Sequence, residues 1–279
     1  MDAFIIILTG SLVAISCAIL GSFLVLRKMA MIGDAISHSV LPGIVIAFFL
    51  VGSIQSVWMI IGAGILGVFT TFLIEFFHRK GKLQTDASIG VTFTWLFALG
   101  VILVTYYAGN AHIDQDCILH GEIAYVPIDL MYDANGNPIG PRALIILSFV
   151  LAFILIFVIT FYKELFITTF DPAYAKAIGI SVSKWHYLLM SLVSLTTVAS
   201  FESVGAILVV ALLIAPASAA YLITHNLKWM LMLSSLFGII SSFLGYWLSY
   251  ILDGSIAGAM VTISGVIFGI CYLIAVNRK

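Results

Sequence analysis

Long apolar stretches alternate along this chain with short segments that carry charged and turn-forming residues. Most of the stretches approach or exceed the about 20 residues that a helix needs to cross a bilayer. Such stretches occur at 4–26, 31–52, 57–77, 86–108, 143–162, 185–200, 203–224, 230–251 and 256–276. The pattern predicts an all-α polytopic membrane protein, a bundle of eight to nine transmembrane helices.

The choice between eight and nine depends on one region. The predicted spans 185–200 and 203–224 are short and meet around residues 200–203. Two separate helices here give nine spans, whereas a re-entrant or broken element gives eight.

Composition supports the membrane class. Hydrophobic residues make up 62% of the 279 residues and charged residues only 9%, and the mean hydropathy is +1.19. A soluble protein of this length needs far more charge on its surface. We therefore expect a single transmembrane domain over residues 1–279.

The positions of basic residues predict the topology, because cytoplasmic loops are enriched in lysine and arginine. They cluster on alternate connections: Arg27, Lys28, Arg79, Lys80, Lys82, Lys163, Lys176, Lys184, Lys228, Arg278 and Lys279. Nine spans then place the N-terminus outside and the C-terminus inside. The long loop 109–141 lies outside and the segment 163–184 lies inside. His186 borders the start of a span, so we expect it at the membrane interface.

Glycines recur at helical spacing on two predicted spans. Gly62, Gly64 and Gly67 lie on the third span, and Gly265 and Gly269 form a GxxxG pattern on the last one. Small residues allow the backbones of membrane helices to approach closely, so both sets are predicted to serve helix packing.

Asp34 and His38 are the most unusual residues of the apolar stretches. They are four residues apart and therefore share one helical face. His38 lies ten residues beyond Lys28, which places it roughly 15 Å from the cytoplasmic edge. Pro42 lacks the N–H that would bond the carbonyl of His38, so the helix is expected to bend or open there.

Ionisable groups at this depth are costly and normally face a partner or a pathway. An acid, an imidazole and a freed carbonyl together predict a site for a divalent cation such as manganese, iron(II) or zinc. The alternative is a structural hydrogen-bonded pair that joins two helices.

Weaker candidates lie elsewhere in the chain. Glu202 stands between two short apolar halves beside Gly205, where it is either a ligand or gate carboxylate or an interfacial loop acid. Pro216 is expected to kink the following span, which suits either a pore wall or ordinary packing. The outer loop holds three residues that are either ligands at the membrane entrance or part of a merely solvated acidic loop: Asp114, Asp116 and His120.

The inner segment 163–184 contains the pattern of a short capped helix. Asp171 can cap a helix that Pro172 begins and Gly179 ends, with Ala175 inside it. Such a helix at the cytoplasmic surface suits docking to a soluble partner. The alternative is an interfacial helix that lies on membrane lipid.

Motifs of enzymes are missing. Gly81-Lys82 has no glycine five residues earlier, so there is no phosphate-binding loop, and neither HExxH nor GxSxG occurs. We expect a transporter rather than an enzyme, with no permanently bound cofactor and no nucleic-acid partner.

Six ordered motifs resemble the metal-ion permeases of the ABC-3 type, the membrane subunits of bacterial manganese, zinc and iron ABC importers. The most specific is GDAISHSVLPG at 33–43. The others are LVLRKM at 24–29, TDASIG at 85–90, FDPAYAKAIG at 170–179, SVGAIL at 203–208 and LIAPA at 213–217. They extend over nearly the whole chain.

The resemblance implies an ABC importer permease fold in the bacterial cytoplasmic membrane. It implies a homodimer or paired permease with two separate ATP-binding subunits and an extracytoplasmic metal-binding protein. It also implies that Asp34 and His38 contribute to the metal path and that the 171–179 helix contacts the ATPase. The transported ion is manganese, zinc or iron, with manganese favoured because a carboxylate and an imidazole without a thiolate form a harder ligand set than zinc usually receives.

One function from another class remains open. A proton- or sodium-coupled secondary carrier would use the same Asp34–His38 pair as a proton relay. It has no need of the inner docking helix.

Overall fold

The computed structural model describes residues 2–51, 57–107, 123–132 and 138–277, and it is helical over most of them. The helices are α1 (Asp2–Leu26), α2 (Ile32–Ser39), α3 (Leu41–Val51), α4 (Val57–Arg79), α5 (Thr85–Tyr107), α6 (Arg142–Thr160), α7 (Tyr162–Phe170), α8 (Pro172–Ala177), α9 (Val182–Val204), α10 (Ala206–Ile223), α11 (Leu227–Leu252) and α12 (Ile256–Asn277).

Seven helices of the described part are long and apolar enough to cross a membrane. They are α1, α4, α5, α6, α10, α11 and α12, and their bounds match predicted spans to within a few residues. The two other predicted spans differ for physical reasons. Residues 32–51 are described as the short helices α2 and α3, which are joined through Val40 and neither of which is long enough to cross a membrane alone. Residues 185–200 belong to α9, which is long but carries more polar side chains. The prediction of eight to nine transmembrane helices is therefore only approximately correct, since seven such helices occur among the described residues.

The predicted interruption between 200 and 203 lies slightly further along the chain. α9 continues to Val204, and α10 begins at Ala206. Gly205 separates them with a φ of 80°, a left-handed conformation that glycine adopts without steric cost. Glu202 consequently belongs to the last turn of α9 rather than to a loop between two helices, which corrects the expectation from the sequence.

A small antiparallel sheet precedes α6 and was not predicted by the hydrophobic pattern. A 3₁₀ turn at Ile123–Tyr125 is followed by β1 (Leu130–Tyr132) and β2 (Pro138–Pro141), which pair with Met131 opposite Gly140. The backbone N–H of Arg142 donates to the carbonyl of Asp129 at 3.0 Å, so the start of α6 is joined to the residue before β1.

The described residues form two compact units, and the first contains α1, the sheet, α6 and α10 to α12. Here α1 packs against α6, α10 and α11, and α12 packs against α10 and α11. Close approach requires a glycine at position 21, because a Cβ there would collide with the carbonyl of Leu213. A buried hydrogen bond of 3.1 Å joins Ser22 of α1 to Ser234 of α11.

The second unit contains α2 to α5, α7 from Lys163 onwards, α8 and the part of α9 before residue 199. α4 packs against α2, α3 and α5, and α5 also contacts α2 and α3. A Cβ at Gly62 would lie 2.9 Å from the carbonyl oxygen of Gly43 on α3, so these two helices need small residues at their contact. The expected single domain over 1–279 stays a prediction.

The glycines of the last helix differ from those of α4. A Cβ at Gly265 or Gly269 would meet no atom within 4 Å. Their GxxxG pattern therefore does not serve helix packing among the described residues, which corrects the prediction for this pair.

Candidate metal site

α2 presents Asp34 and His38 on its open face. The Oδ1 atom of Asp34 lies 3.5 Å from Nε2 of His38, and the two side chains are 35% and 39% exposed. The intervening residues Ala35, Ile36 and Ser37 are all buried. The pair is thus the accessible part of a helix that is otherwise enclosed, and its carboxylate and imidazole can both approach one ion.

Neighbouring helices hold α2 in place. Ser39 at its end shares a buried hydrogen bond of 2.8 Å with Thr70 of α4. On the other side, the ring of His38 packs against Phe93 and Phe97 of α5, with ring centroids 6.0 and 5.9 Å away. These contacts restrict the orientation of the imidazole while leaving part of it accessible.

The chain continues from α2 into α3 through Val40, whose φ of −71° and ψ of −25° are helical and whose N–H donates to the carbonyl of Ile36 at 3.2 Å, so the expected bend or opening beside His38 stays a prediction. α2 ends at Ser39, and α3 begins at Leu41 with Pro42 in its first turn, where the missing N–H is tolerated. Gly100 of α5 allows close contact here, since a Cβ at this position would lie 2.9 Å from Cδ of Pro42. Pro42 supplies no N–H for the carbonyl of His38, so the helix lacks one backbone hydrogen bond beside the pair.

The described part of one chain supplies two ligands at this place. No group of three or more His, Cys, Asp or Glu side chains suited to a metal ion occurs among the described residues. A transition metal ion normally takes four or more donors. The pair alone is therefore a partial coordination set.

The other predicted ligands are not brought to this pair by the described structure. The backbone of Glu202 lies in α9, and its side chain lies outside the described part. The outer-loop candidates also lie outside the described residues: Asp114, Asp116 and His120. Pro216 is buried within α10, which continues through it without interruption, so the expected kink stays a prediction.

The inner segment forms a short capped helix. The side chain of Asp171 accepts a hydrogen bond of 2.9 Å from the backbone N–H of Tyr174, and Pro172 begins α8. Gly179 follows the helix with a φ of 82°. Ala175 is buried, whereas Tyr174 and Ile178 are exposed. One face of α8 is thus fixed to the protein and the other is open.

The sequence analysis missed a buried acid–histidine pair in the second unit. Nε2 of His186 on α9 lies 3.4 Å from Oε2 of Glu75 on α4, and the two side chains are 9% and 7% exposed. His186 is therefore buried against α4, and its expected position at the membrane interface stays a prediction. The sequence did contain a signal for such a pair, because Glu75 is an acid within the apolar span 57–77 and requires a polar partner there.

Comparison with known proteins identifies a family. Residues 3–276 match the model of the ABC 3 transport family. The chain is 50% identical over 268 residues to the manganese transport system membrane protein MntD of Bacillus subtilis, covering 96% of this chain and 90% of that protein. It is 43% identical to the zinc transport system membrane protein TroD of Treponema pallidum, covering 96% of this chain and 72% of that protein.

Solved structures agree with this assignment. A structure described as PsaBC from Streptococcus pneumoniae in complex with Fab matches with a TM-score of 0.78 and 35% identity, covering 96% of this chain and 90% of that one. An inward-facing putative metal-chelate type ABC transporter has a TM-score of 0.68 at 17% identity, covering 99% of this chain and 86% of that one, and supports the fold alone. The chain therefore belongs to the ABC 3 transport family, as a multi-pass protein of the bacterial plasma membrane with an ABC importer permease fold.

Proposed function

We propose that this chain is the permease subunit of an ABC importer that carries a divalent transition metal ion, in the first place manganese, into the cytoplasm. The observation that carries the proposal is the Asp34–His38 pair on the open face of α2, at 3.5 Å. The names of the relatives, which refer to manganese and zinc transport, support the same class of substrate.

The ligand types favour manganese over zinc. Each chain offers one carboxylate and one imidazole and no thiolate. Carboxylate oxygen is a preferred ligand of manganese, whereas zinc is often bound by sets that include thiolates. Iron(II) fits the same ligands. We therefore rank manganese first and treat zinc and iron as competing cargo.

Two copies of the chain would complete the coordination set. A homodimer with both α2 helices near its axis would provide two carboxylates and two imidazoles around one ion. This arrangement follows from the partial ligand set of one chain and from the symmetry that identical subunits normally adopt.

Metal would enter from an extracytoplasmic binding protein and leave toward the cytoplasm. We propose Asp114, Asp116 and His120 as ligands at the outer entrance and Glu202 as a further carboxylate on the path. On the inner side, two separate ATP-binding subunits would dock on the open face of α8. Their closure on ATP would change access to the Asp34–His38 pair from outside to inside.

Reconstitution tests the proposal. The permease and its ATP-binding subunit are placed in proteoliposomes with the cognate metal-binding protein, and uptake of Mn²⁺ is followed with ATP or with an imposed proton or sodium gradient. We expect uptake only with ATP and the ATP-binding subunit. Uptake driven by a gradient alone would instead identify a secondary carrier.

A competition experiment in the same vesicles ranks the cargo. Zn²⁺ and Fe²⁺ are added in excess to Mn²⁺, and each element is measured separately. Manganese is expected to accumulate most strongly at equal free concentrations. Preferential accumulation of zinc would overturn the ranking of the metals while leaving the transporter class intact.

A further inference from the structure

Glu75 and His186 form a buried polar contact that takes no part in the transport steps proposed above. Nε2 of His186 lies 3.4 Å from Oε2 of Glu75, and both side chains are less than a tenth exposed. Among the described residues, this nitrogen has no hydrogen-bond partner of good geometry. The distance is longer than the usual 2.7–3.2 Å of a hydrogen bond, so the two groups lie close together without forming a hydrogen bond of ordinary length.

His186 is close in sequence to the docking helix. α8 ends at Ala177, and the backbone N–H of Ile180 donates to the carbonyl of Ala175 at 2.9 Å, which fixes the link to the helix. α9 begins at Val182, and His186 lies in its second turn. A displacement of α8 therefore reaches the start of α9 through a link of only four residues.

α9 meets α4 again about two turns further along. The hydroxyl of Ser194 lies 3.4 Å from the carbonyl oxygen of Gly64, to which it donates. A Cβ at Gly67 would collide with the same hydroxyl and would lie 3.3 Å from Cγ2 of Ile36 on α2. At this point α4 lies against both α9 and α2.

α4 continues the connection to the metal pair. Its Thr70 shares the buried 2.8 Å hydrogen bond with Ser39 at the end of α2. Asp34 and His38 lie on that same helix. The contacts from α8 through α9 and α4 to α2 all lie within the second unit.

We propose that Glu75 and His186 are positioning residues that join α9 to α4, so that movement of the docking helix α8 repositions the Asp34–His38 pair. Moving the two side chains apart takes the buried ring nitrogen of His186 away from the acid that faces it, which is unfavourable in a membrane interior. The contact therefore keeps α4 moving with α9. This inference rests on the proposed function, because it assumes that an ATP-binding subunit acts on α8.

The test compares transport with ATP hydrolysis in the reconstituted complex. The variants Glu75→Gln and His186→Gln keep similar size while removing the charge of one partner and the ring of the other. We expect each to hydrolyse ATP and to bind Mn²⁺ as the wild type does, but to transport on the order of tenfold fewer ions per ATP. A purely structural role would lower the amount of folded complex and leave ions per ATP unchanged, and that result would overturn the inference.

The double variant gives a second criterion. If the two residues act through their contact, Glu75→Gln/His186→Gln should lose no more coupling than either single variant. If the double variant instead loses coupling by the product of the two single losses, the residues act independently, which would contradict the pairing. Should a Gln variant not yield a folded complex, Glu75→Asp withdraws the carboxylate by one methylene, and unchanged ions per ATP in that variant would also overturn the inference.

A matched control exists in the first unit. Ser22 and Ser234 also form a buried polar contact between two helices, at 3.1 Å. Ser22→Ala and Ser234→Ala should reduce stability slightly and leave ions per ATP unchanged. If wild-type vesicles show no ATP-dependent Mn²⁺ uptake at all, the proposed function fails. If the wild type is coupled and the Glu75 and His186 variants are equally coupled, only the positioning role fails.

Discussion

At the scale of single residues, the position of Asp34 and His38 explains why the chain tolerates them in an apolar segment. Both are partly exposed on α2, whereas the residues between them are buried. We propose that this accessible face lies on the metal path, where a carboxylate and an imidazole avoid the large cost of contact with lipid. Phe93 and Phe97 hold the ring in one orientation. The pair therefore combines access for an ion with a fixed geometry, which ligands of a transported metal require.

Removing either ligand is the direct prediction at this scale. Asp34→Ala and His38→Ala should each lower Mn²⁺ uptake by at least about 100-fold, because loss of even an indirect supporting group typically costs 10- to 100-fold in metal affinity. Assembly with the ATP-binding subunit and ATP hydrolysis should persist. The measurement is uptake of radioactive Mn²⁺ by vesicles of known protein content.

Asp253 provides the control for these variants. It follows α11 in a left-handed conformation that asparagine also adopts readily. Asp253→Asn removes one acid of the chain and should leave uptake unchanged. Normal uptake by either the Asp34 or the His38 variant would exclude that residue from the metal path.

At the scale of elements, α4 is the helix that organises the second unit. It contacts α2, α3 and α5, and its glycines differ in their surroundings. A Cβ at Gly67 would collide with Ser194, whereas one at Gly64 would meet nothing within 4 Å. The sequence pattern treats these glycines alike. Only the packing distinguishes them.

This difference predicts opposite outcomes for two similar substitutions. Gly67→Ala should destabilise the protein by about 1–3 kcal/mol, because an added methyl group overfills a packed contact. Gly64→Ala should change stability by less than about 0.5 kcal/mol. Thermal unfolding of the purified variants in detergent measures both. Adding Ser194→Ala to the Gly67 variant should restore part of the loss, and equal stability of the two single variants would contradict the packing described for α4.

α8 offers a second prediction at the scale of elements. Ile178 is 47% exposed and Ala175 is fully buried. Ile178→Asp should reduce co-purification of the ATP-binding subunit by roughly tenfold without changing thermal stability, because it places a charge on an apolar docking surface. Ala175→Leu should lower both the co-purification and the thermal stability, since the larger side chain does not fit the buried position and displaces the helix.

Leu83 serves as the control for Ile178. It is 41% exposed and lies in another segment predicted to be cytoplasmic. Leu83→Asp should leave co-purification unchanged. Retention of the ATP-binding subunit by the Ile178 variant would favour a helix that rests on lipid instead of docking to the partner.

At the scale of the whole molecule, the described part of one chain supplies two ligands, Asp34 and His38, to the proposed metal site, and an ion normally takes four or more. The described residues contain no cluster of three or more metal-binding side chains. A second copy related by a two-fold axis would supply the same two ligands again. We therefore propose that the transporting unit is a dimer in which each chain needs a functional partner.

Mixing active and inactive chains tests the dimer. If wild-type chains and His38→Ala chains are co-expressed in equal amounts, about one quarter of the dimers contain two active chains. Uptake per total permease should fall to roughly that fraction. Uptake of about one half would show that each chain transports alone, and the proportion of the two chains in the purified complex is determined by mass spectrometry.

The sequence determined the membrane class, most of the helix bounds, the short helix that begins at Pro172 and the face shared by Asp34 and His38. These features depend on local rules: the length of apolar stretches, the helical repeat, and the chemistry of caps and prolines. The position of the break at Gly205 was displaced because several small and polar residues precede it, and local pattern does not select among them.

Only the tertiary structure decided which distant residues meet. Glu75 and His186 are far apart in the sequence, and their contact depends on how α9 lies against α4. The same packing gives Gly67 a close contact that Gly64 lacks, and among the described residues it leaves open space at the Cβ positions of Gly265 and Gly269. Periodicity defines the face of a helix, but which other helix covers that face depends on the packing of the whole chain. For this reason the sequence indicated the metal pair, which is local, and missed the contact between α4 and α9, which is not.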